Sequence, residues 1–427
     1  MLANDATRHT MLIQKIAENG FLNEDEIRAT VTEACTSMDV DGKRVLFIIP
    51  DSTRSMPLPL LFRVLFDALH DRVAKMDYLI ALGTHPPMPE SAINHMLGVS
   101  AEERTGKFAS VEIFNHAWRD PEALTTIGRL TEDDIEEISG GLLRESVDVT
   151  INKRVLDYDL ICIVGPVFPH EVVGFSGGYK YFFPGVAGEA ILDVFHWLGA
   201  LITNYKINGT KDTPVRAVIN KAASLVPTKT MCFCLTVVRK DTKAVFFGEP
   251  LEAWSAAADL SSQTHIIYKK KPFKTVLAIA PPMYDEIWVA GKCMYKLEPV
   301  VADGGELIIY GGHIHEVSVT HDVMIKKVGY HVRDYFTKQA ERFADIPGTI
   351  KAHSTHVRGN GTYEDGVEKP RVDVTLATSI SENVCRQINL GYRDINTIDV
   401  SEYEGREDEG ILVVHNAGEI LYRIEGE

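Results

Sequence analysis

Lys180 closes the run Gly174-Phe-Ser-Gly-Gly-Tyr-Lys180, in which three glycines and Ser176 let the backbone approach a ligand closely. The amides of Ser176, Gly177 and Gly178 can form an anion-binding nest. The GxxxxGK[ST] spacing fails, so the run is not a P-loop. On one reading it is a tight turn with a surface lysine. On the other, the apolar run Tyr181-Phe182-Phe183 desolvates the amine, keeps it neutral and nucleophilic, and makes Lys180 a covalent cofactor anchor. His170 lies ten residues before Lys180 and His196 sixteen after it. Each, taken alone, is as well explained as a satisfied buried histidine. His85, set between Gly83 and the Pro86-Pro87 pair, falls in a loop within solvent reach. Arg54 can clamp a carboxylate bidentately, with Asp51 orienting it or part of a cofactor, unless the two form a plain ion pair. No HExxH, CxxC or His-rich triad is present, so a closed zinc site is not expected. A single neutral imidazole still suits one position of an unusual metal centre.

Short buried strands alternating with amphipathic helices would place these groups. Arg44–Pro50 reads as an apolar parallel strand stopping at Asp51, and Leu60, Leu61, Val64, Leu65 and Leu69 then repeat at helical spacing. Strands at Tyr78–Leu82 and Ser110–Phe114 end at His85 and His116. Open α/β sheets bind ligands beyond the carboxyl ends of their strands, so Asp51, Arg54, His85 and His116 are expected at one crevice. A strand at Leu160–Val164 leads into the glycine-rich run, and a helix is expected from about Glu189 through His196. Further on, the pattern predicts strands at Thr275–Ile279, Leu307–Tyr310 and Val372–Ala377 and a helix near Tyr284–Val300. A break at Tyr268-Lys-Lys-Lys-Pro272 predicts two α/β domains, 1–270 and 271–427, with mostly parallel, Rossmann-like sheets flanking an interdomain crevice.

The length of 427 residues is ample for two cores. A net charge of −16 without a basic stripe argues against nucleic acid. No apolar run approaches the ~20 residues of a membrane helix, and Met1–Gly20 lacks a signal-type core, so neither membrane insertion nor export is expected. Six scattered cysteines fit free thiols in a reducing cytoplasm. Homo-oligomerisation is neither required nor excluded.

Taken together, Asp51-Ser-Thr-Arg54, Gly83-Thr-His85-Pro-Pro-Met, His170 with the run to Lys180, and His196 resemble, in order and spacing, the nickel-pincer-nucleotide lactate racemase family over essentially the whole chain. The resemblance implies that Lys180 carries a thio-substituted pyridinium mononucleotide and that His196 is the protein ligand to its nickel. It also implies His85 and His170 as the acid/base pair, and Arg54 and Lys292, the latter in Trp288-Val-Ala-Gly-Lys292, as the substrate clamp. Ser176, Gly177 and Gly178 would then cradle the nucleotide phosphate. The implied reaction inverts C2 of a 2-hydroxy acid by hydride removal and return, which avoids a carbanion beside a carboxylate. Accessory proteins that build the cofactor are implied as well. Family members acting on lactate carry a glutamine three residues before the clamp lysine, where this chain has Val289, so a polar or sugar-type acid is favoured. Two polar clusters, His313 with His315 and His353 with His356 and Arg358, are either solvated loops or contacts to such a substrate. Alternatives from other classes are pyridoxal phosphate chemistry on Lys180 and a non-catalytic carboxylate- or cofactor-binding protein.

Overall fold

The computed structural model describes residues 12–426; most of the N-terminal segment read above for an export signal lies outside it. Two mixed α/β layers, each built on a sheet of mostly parallel strands, form the bulk of the described residues, with four two-stranded ribbons beside them. The first sheet contains β1 (Ile13–Ile16), β2 (Arg44–Ile49), β3 (Lys75–Ile80), β4 (Ile113–Asn115), β5 (Leu160–Pro166), β6 (Thr230–Val238) and β7 (Asp241–Gly248). Their order is β1-β7-β6-β5-β2-β3-β4, with β7 antiparallel to both neighbours. Five of the six residues of β2, and all seven of β5, are buried, as expected for central strands covered on both faces. From β2 the chain winds outward to β3 and β4, then returns to place β5 on the other side of β2. That reversal is a topological switch point, where open sheets leave a crevice.

The second sheet, β8 (Phe273–Ile279), β9 (Val301–Gly311), β10 (Asp373–Thr378), β11 (Gly391–Tyr392) and β12 (Ile411–Val414), is parallel throughout, in the order β11-β10-β9-β8-β12. Strand β9 is far longer than the Leu307–Tyr310 expected, because its first half, Ala302-Asp-Gly-Gly-Glu306, is polar and hides the pattern. The helix expected near Tyr284–Val300 is two short helices, α1 (Ile287–Ala290) and α2 (Lys292–Leu297), meeting at Gly291. A 3-10 turn at Glu298–Val300 ends them, where Pro299 brings no N–H. Ile266–Lys269 pairs with the C-terminal strand Leu421–Ile424, so the segment just before the expected boundary is tied to the end of the chain. All six cysteines are free and buried. Among the described residues, no helix is long and apolar enough to cross a membrane.

Gly165, in β5, fixes the position of the Lys180 loop. Any Cβ there would overlap the ring and hydroxyl of Tyr181. Gly165→Ala is expected to lower stability by about 1–3 kcal/mol through overpacking. Thermal unfolding checks this, and an unchanged midpoint would show that the loop can move away.

Candidate active site

Loops from the carboxyl ends of β2, β3 and β5 meet helical segments of the second layer around a cavity of about 150 Å³. Its walls include Arg54, His85, His170, Glu171, Lys180, His196, Trp288, Val289, Lys292, Tyr295, His353 and His356. Of the expected site residues, Arg54, His85, His170, Lys180, His196, Trp288 and Lys292 are thus brought together. The first layer supplies Lys180 from a 3-10 turn (Gly178–Tyr181) and His196 from the helix Glu189–Ile202. The second supplies Trp288 from α1 and Lys292 from the start of α2.

Asp51 sits behind His85. Its Oδ2 accepts from His85 Nδ1 at 2.5 Å and its Oδ1 from the Thr53 hydroxyl at 2.5 Å. Burial pushes the Asp51 carboxyl up, but the bond from His85 and the nearby Arg54 and Thr53 outweigh it and hold it well below the usual range. Both of its oxygens are engaged by protein, so Asp51 orients His85 and forms no direct ion pair with Arg54, which instead donates to the Thr53 hydroxyl at 2.9 Å. With Nδ1 donating to Asp51, the lone pair of the His85 ring falls at Nε2. His170 is set the other way: its Nδ1 accepts the Val172 N–H at 3.2 Å, which leaves the proton on Nε2. Burial, then the charges of Lys180 and Arg54, hold His170 neutral.

Ser176, Gly177 and Gly178, expected as a phosphate cradle, lie behind Lys180 and do not line the cavity. The Ser176 hydroxyl bridges Phe168 N–H and Pro166 O at 3.0 Å each, and the Ser176 carbonyl accepts from the Trp254 indole at 2.8 Å. Gly178, at φ +57, packs so closely on Trp254 that a Cβ would lie 3.0 Å from it. These glycines serve packing. His116, expected near the crevice, is a satisfied core histidine, with Nε2 on Ala187 O at 2.9 Å and Nδ1 facing Asn152. His313 bonds Pro281 O outside the cavity and His315 is exposed. The second polar cluster is no loop: it forms the helix Gly348–Arg358, with His353 and His356 buried.

Two further charged residues were missed by sequence reasoning. Glu171 adjoins His170, its carboxylate 3.6 Å from His170 Nδ1. Burial raises its carboxyl, and the Lys296 and Lys292 charges more than reverse that. Lys296 lies one helical turn beyond Lys292, buried, its amine donating to Pro169 O next to His170. The i, i+4 spacing of Lys292 and Lys296 was the available signal.

Burial, and then the Arg54 charge, push both Lys180 and Lys292 down to about 7. An unfolded lysine titrates near ~10.4, so between the two values the unfolded chain binds more protons and stability rises with pH. Lys180→Met is therefore expected to be more stable than wild type at pH 7 by a few kcal/mol, with the gap closing towards pH 10. Urea midpoints across that range check this; a gap independent of pH would contradict it.

A family model described as the lactate racemase N-terminal domain matches residues 25–208. Two lactate racemases, from Thermoanaerobacterium thermosaccharolyticum and Lactiplantibacillus plantarum, are each 26% identical, over 62% and 64% of this chain. Over residues 25–208 the chain carries the lactate racemase N-terminal domain, and it is a homologue of the lactate racemases. The alignments span 59% and 61% of those two relatives, less than two thirds of their length. A crystal structure of a Thermotoga maritima protein superposes with a TM-score of 0.87 at 32% identity, covering 96% of this chain and all of the other. The lactate racemase apoprotein from T. thermosaccharolyticum superposes with a TM-score of 0.68 at 20% identity, covering 92% of this chain and 88% of the other, so the two share a fold.

Proposed function

We propose that this protein is a racemase or epimerase that inverts C2 of a 2-hydroxy acid, using a nickel-pincer nucleotide tethered to Lys180. The observation that carries the reading is the pair of histidines held in opposite tautomers around one cavity, His85 ready to accept a proton and His170 presenting an N–H. Inversion requires acid/base groups that can exchange roles, and binding alone does not.

The residues present fit the cofactor. Lys180 offers a half-buried, cavity-lining amine with a lowered proton affinity and no hydrogen bond or ion pair among the described residues, as a tethering nucleophile requires. His196 Nδ1 donates to Leu192 O at 2.7 Å, which leaves the Nε2 lone pair available to a metal. When bound, the group supplies the hydride acceptor. Arg54 and Lys292 clamp the substrate carboxylate so that C2 stays in place while the keto group turns. His85 takes the hydroxyl proton at Nε2, and Asp51 faces the imidazolium that results. Return of a proton from the other side falls to His170 in its imidazolium form, whose second proton, at Nδ1, displaces the Val172 N–H and faces the Glu171 carboxylate 3.6 Å away. For the opposite isomer the two rings exchange roles. Trp288 and Val289 form the wall beside the clamp. Val289, where a glutamine accompanies lactate, and the polar helix opposite favour a polyhydroxy acid. Domains 1–270 and 271–427, a cytoplasmic setting and cofactor supply by other proteins complete the reading.

The test uses protein purified from a host that makes the cofactor, incubated with a panel of 2-hydroxy and sugar acids in heavy water. Chiral chromatography should show inversion, and mass spectrometry should show little deuterium at C2, because hydride is recycled. Absence of nickel and of an adduct on Lys180, or inversion with full deuteration, would overturn it.

A further inference from the structure

The cavity's polar wall is left with unfilled hydrogen-bonding capacity. Among the described residues, both ring nitrogens of His356 lack a partner although the residue is only 3% exposed, and Nδ1 of His353 is also unpartnered at 7% exposure. Buried polar atoms without partners are rare in native proteins and ordinarily mark a place where a ligand or water completes the set. The two rings are one turn apart on the helix Gly348–Arg358 and both line the cavity. His353 is fixed: it stacks on Trp288 at 4.0 Å between ring centres, with an interplanar angle of 11°, and its Nε2 bonds Trp288 O. His356 packs against Tyr295 at 5.7 Å in an edge-on contact, and both of its nitrogens are buried without a partner among the described residues. Burial keeps each ring neutral: His356 offers one donor and one acceptor, while His353, whose Nε2 donates to Trp288 O, offers an acceptor at Nδ1.

A hydroxyl group, itself donor and acceptor, is the partner that matches a neutral imidazole. A carboxylate has cations available nearby, and an apolar group would leave the nitrogens unsatisfied. These rings belong to the same layer as Lys292 and Trp288, whereas Lys180 and His196 belong to the other, so they face the substrate's side of the cavity. Resting on the 2-hydroxy acid reading, we propose that His356, supported by His353, recognises a hydroxyl on the substrate carbon chain beyond C2, and so selects polyhydroxy acids over their deoxygenated counterparts. A site built to bond a substrate hydroxyl discriminates strongly against the analogue lacking it, because its buried groups are then left unpaired.

Calorimetric titration of cofactor-free and cofactor-loaded protein with aldonic acids of four to six carbons, each against the 2-hydroxy acid of equal length, tests this. Wild type should bind at least one aldonic acid at least ~10-fold more tightly. His356→Leu should erase that preference while leaving affinity for the deoxygenated acid within about threefold, and His356→Asn, which keeps a donor and an acceptor, should restore part of it. Equal binding of both acids by wild type, or an equal loss for both in His356→Leu with His356→Asn no better, overturns the proposal. A wild type that discriminates in binding yet inverts neither acid would refute the racemase reading and leave the hydroxyl site standing.

Discussion

Cofactor-loaded His170→Ala is expected to turn over at least ~10²-fold more slowly than wild type, and as much as ~10⁴-fold, with its nickel content and Lys180 adduct unchanged. His170 reaches the cavity from the loop after β5, and among the described residues its ring meets the Val172 N–H and the Glu171 carboxylate, so removing it breaks no hydrogen bond to Lys180 or His196. The loss should therefore fall on kcat. The same loss is expected for His85→Ala. Asp51→Asn should lie between these variants and wild type, because the ring remains but its preferred tautomer is no longer imposed. Initial rates in both directions, with metal analysis of the same samples, check the set. His170→Ala turnover within threefold of wild type would remove this residue from the reaction.

Lys180→Arg is expected to abolish activity altogether and to arrive from a cofactor-making host without adduct or stoichiometric nickel. Arginine keeps a charge but provides no neutral amine at working pH, so the tether cannot form. Tethering also changes the electrostatics around it. Free Lys180 is one of the charges that keep His170 neutral. Once its amine is acylated that charge is gone, and a proton on His170 becomes less costly. Intact mass and metal content decide the first part; a nickel-bearing, active Lys180→Arg protein would refute it.

Much of the site was legible because a buried parallel strand reads as an apolar run ended by polar residues. Asp51, Arg54 and His85 were found that way, at the ends of β2 and β3. The glycine-rich run was equally visible, but its physical use was not: conformational freedom at Gly177 and Gly178 can admit a ligand or a neighbouring side chain, and here Val167 and Trp254 take the space. Glu171 and Lys296 were hidden because a charged residue in sequence carries no sign of burial. The helix Gly348–Arg358 was hidden for the same reason. Its run Ala-His-Ser-Thr-His-Val-Arg lacks an apolar stripe, since the helix is buried on nearly every side, with Ile350 and Val357 in the core and Thr349, His353 and His356 turned to the cavity.

The side chains around the cavity are divided by origin. Lys180, His196, His85 and His170 come from the layer that includes residues 25–208, while Trp288, Val289, Lys292, His353 and His356 come from the other. On the proposed reading, the first group runs the reaction and the second reads the molecule that undergoes it. Substitutions at Trp288, Val289, His353 and His356 can then change substrate range one contact at a time without touching the tether or the proton pair. A family built on this plan can diversify by keeping one half and varying the other, and relatives with differing residues opposite Lys180 are where new specificities should be sought.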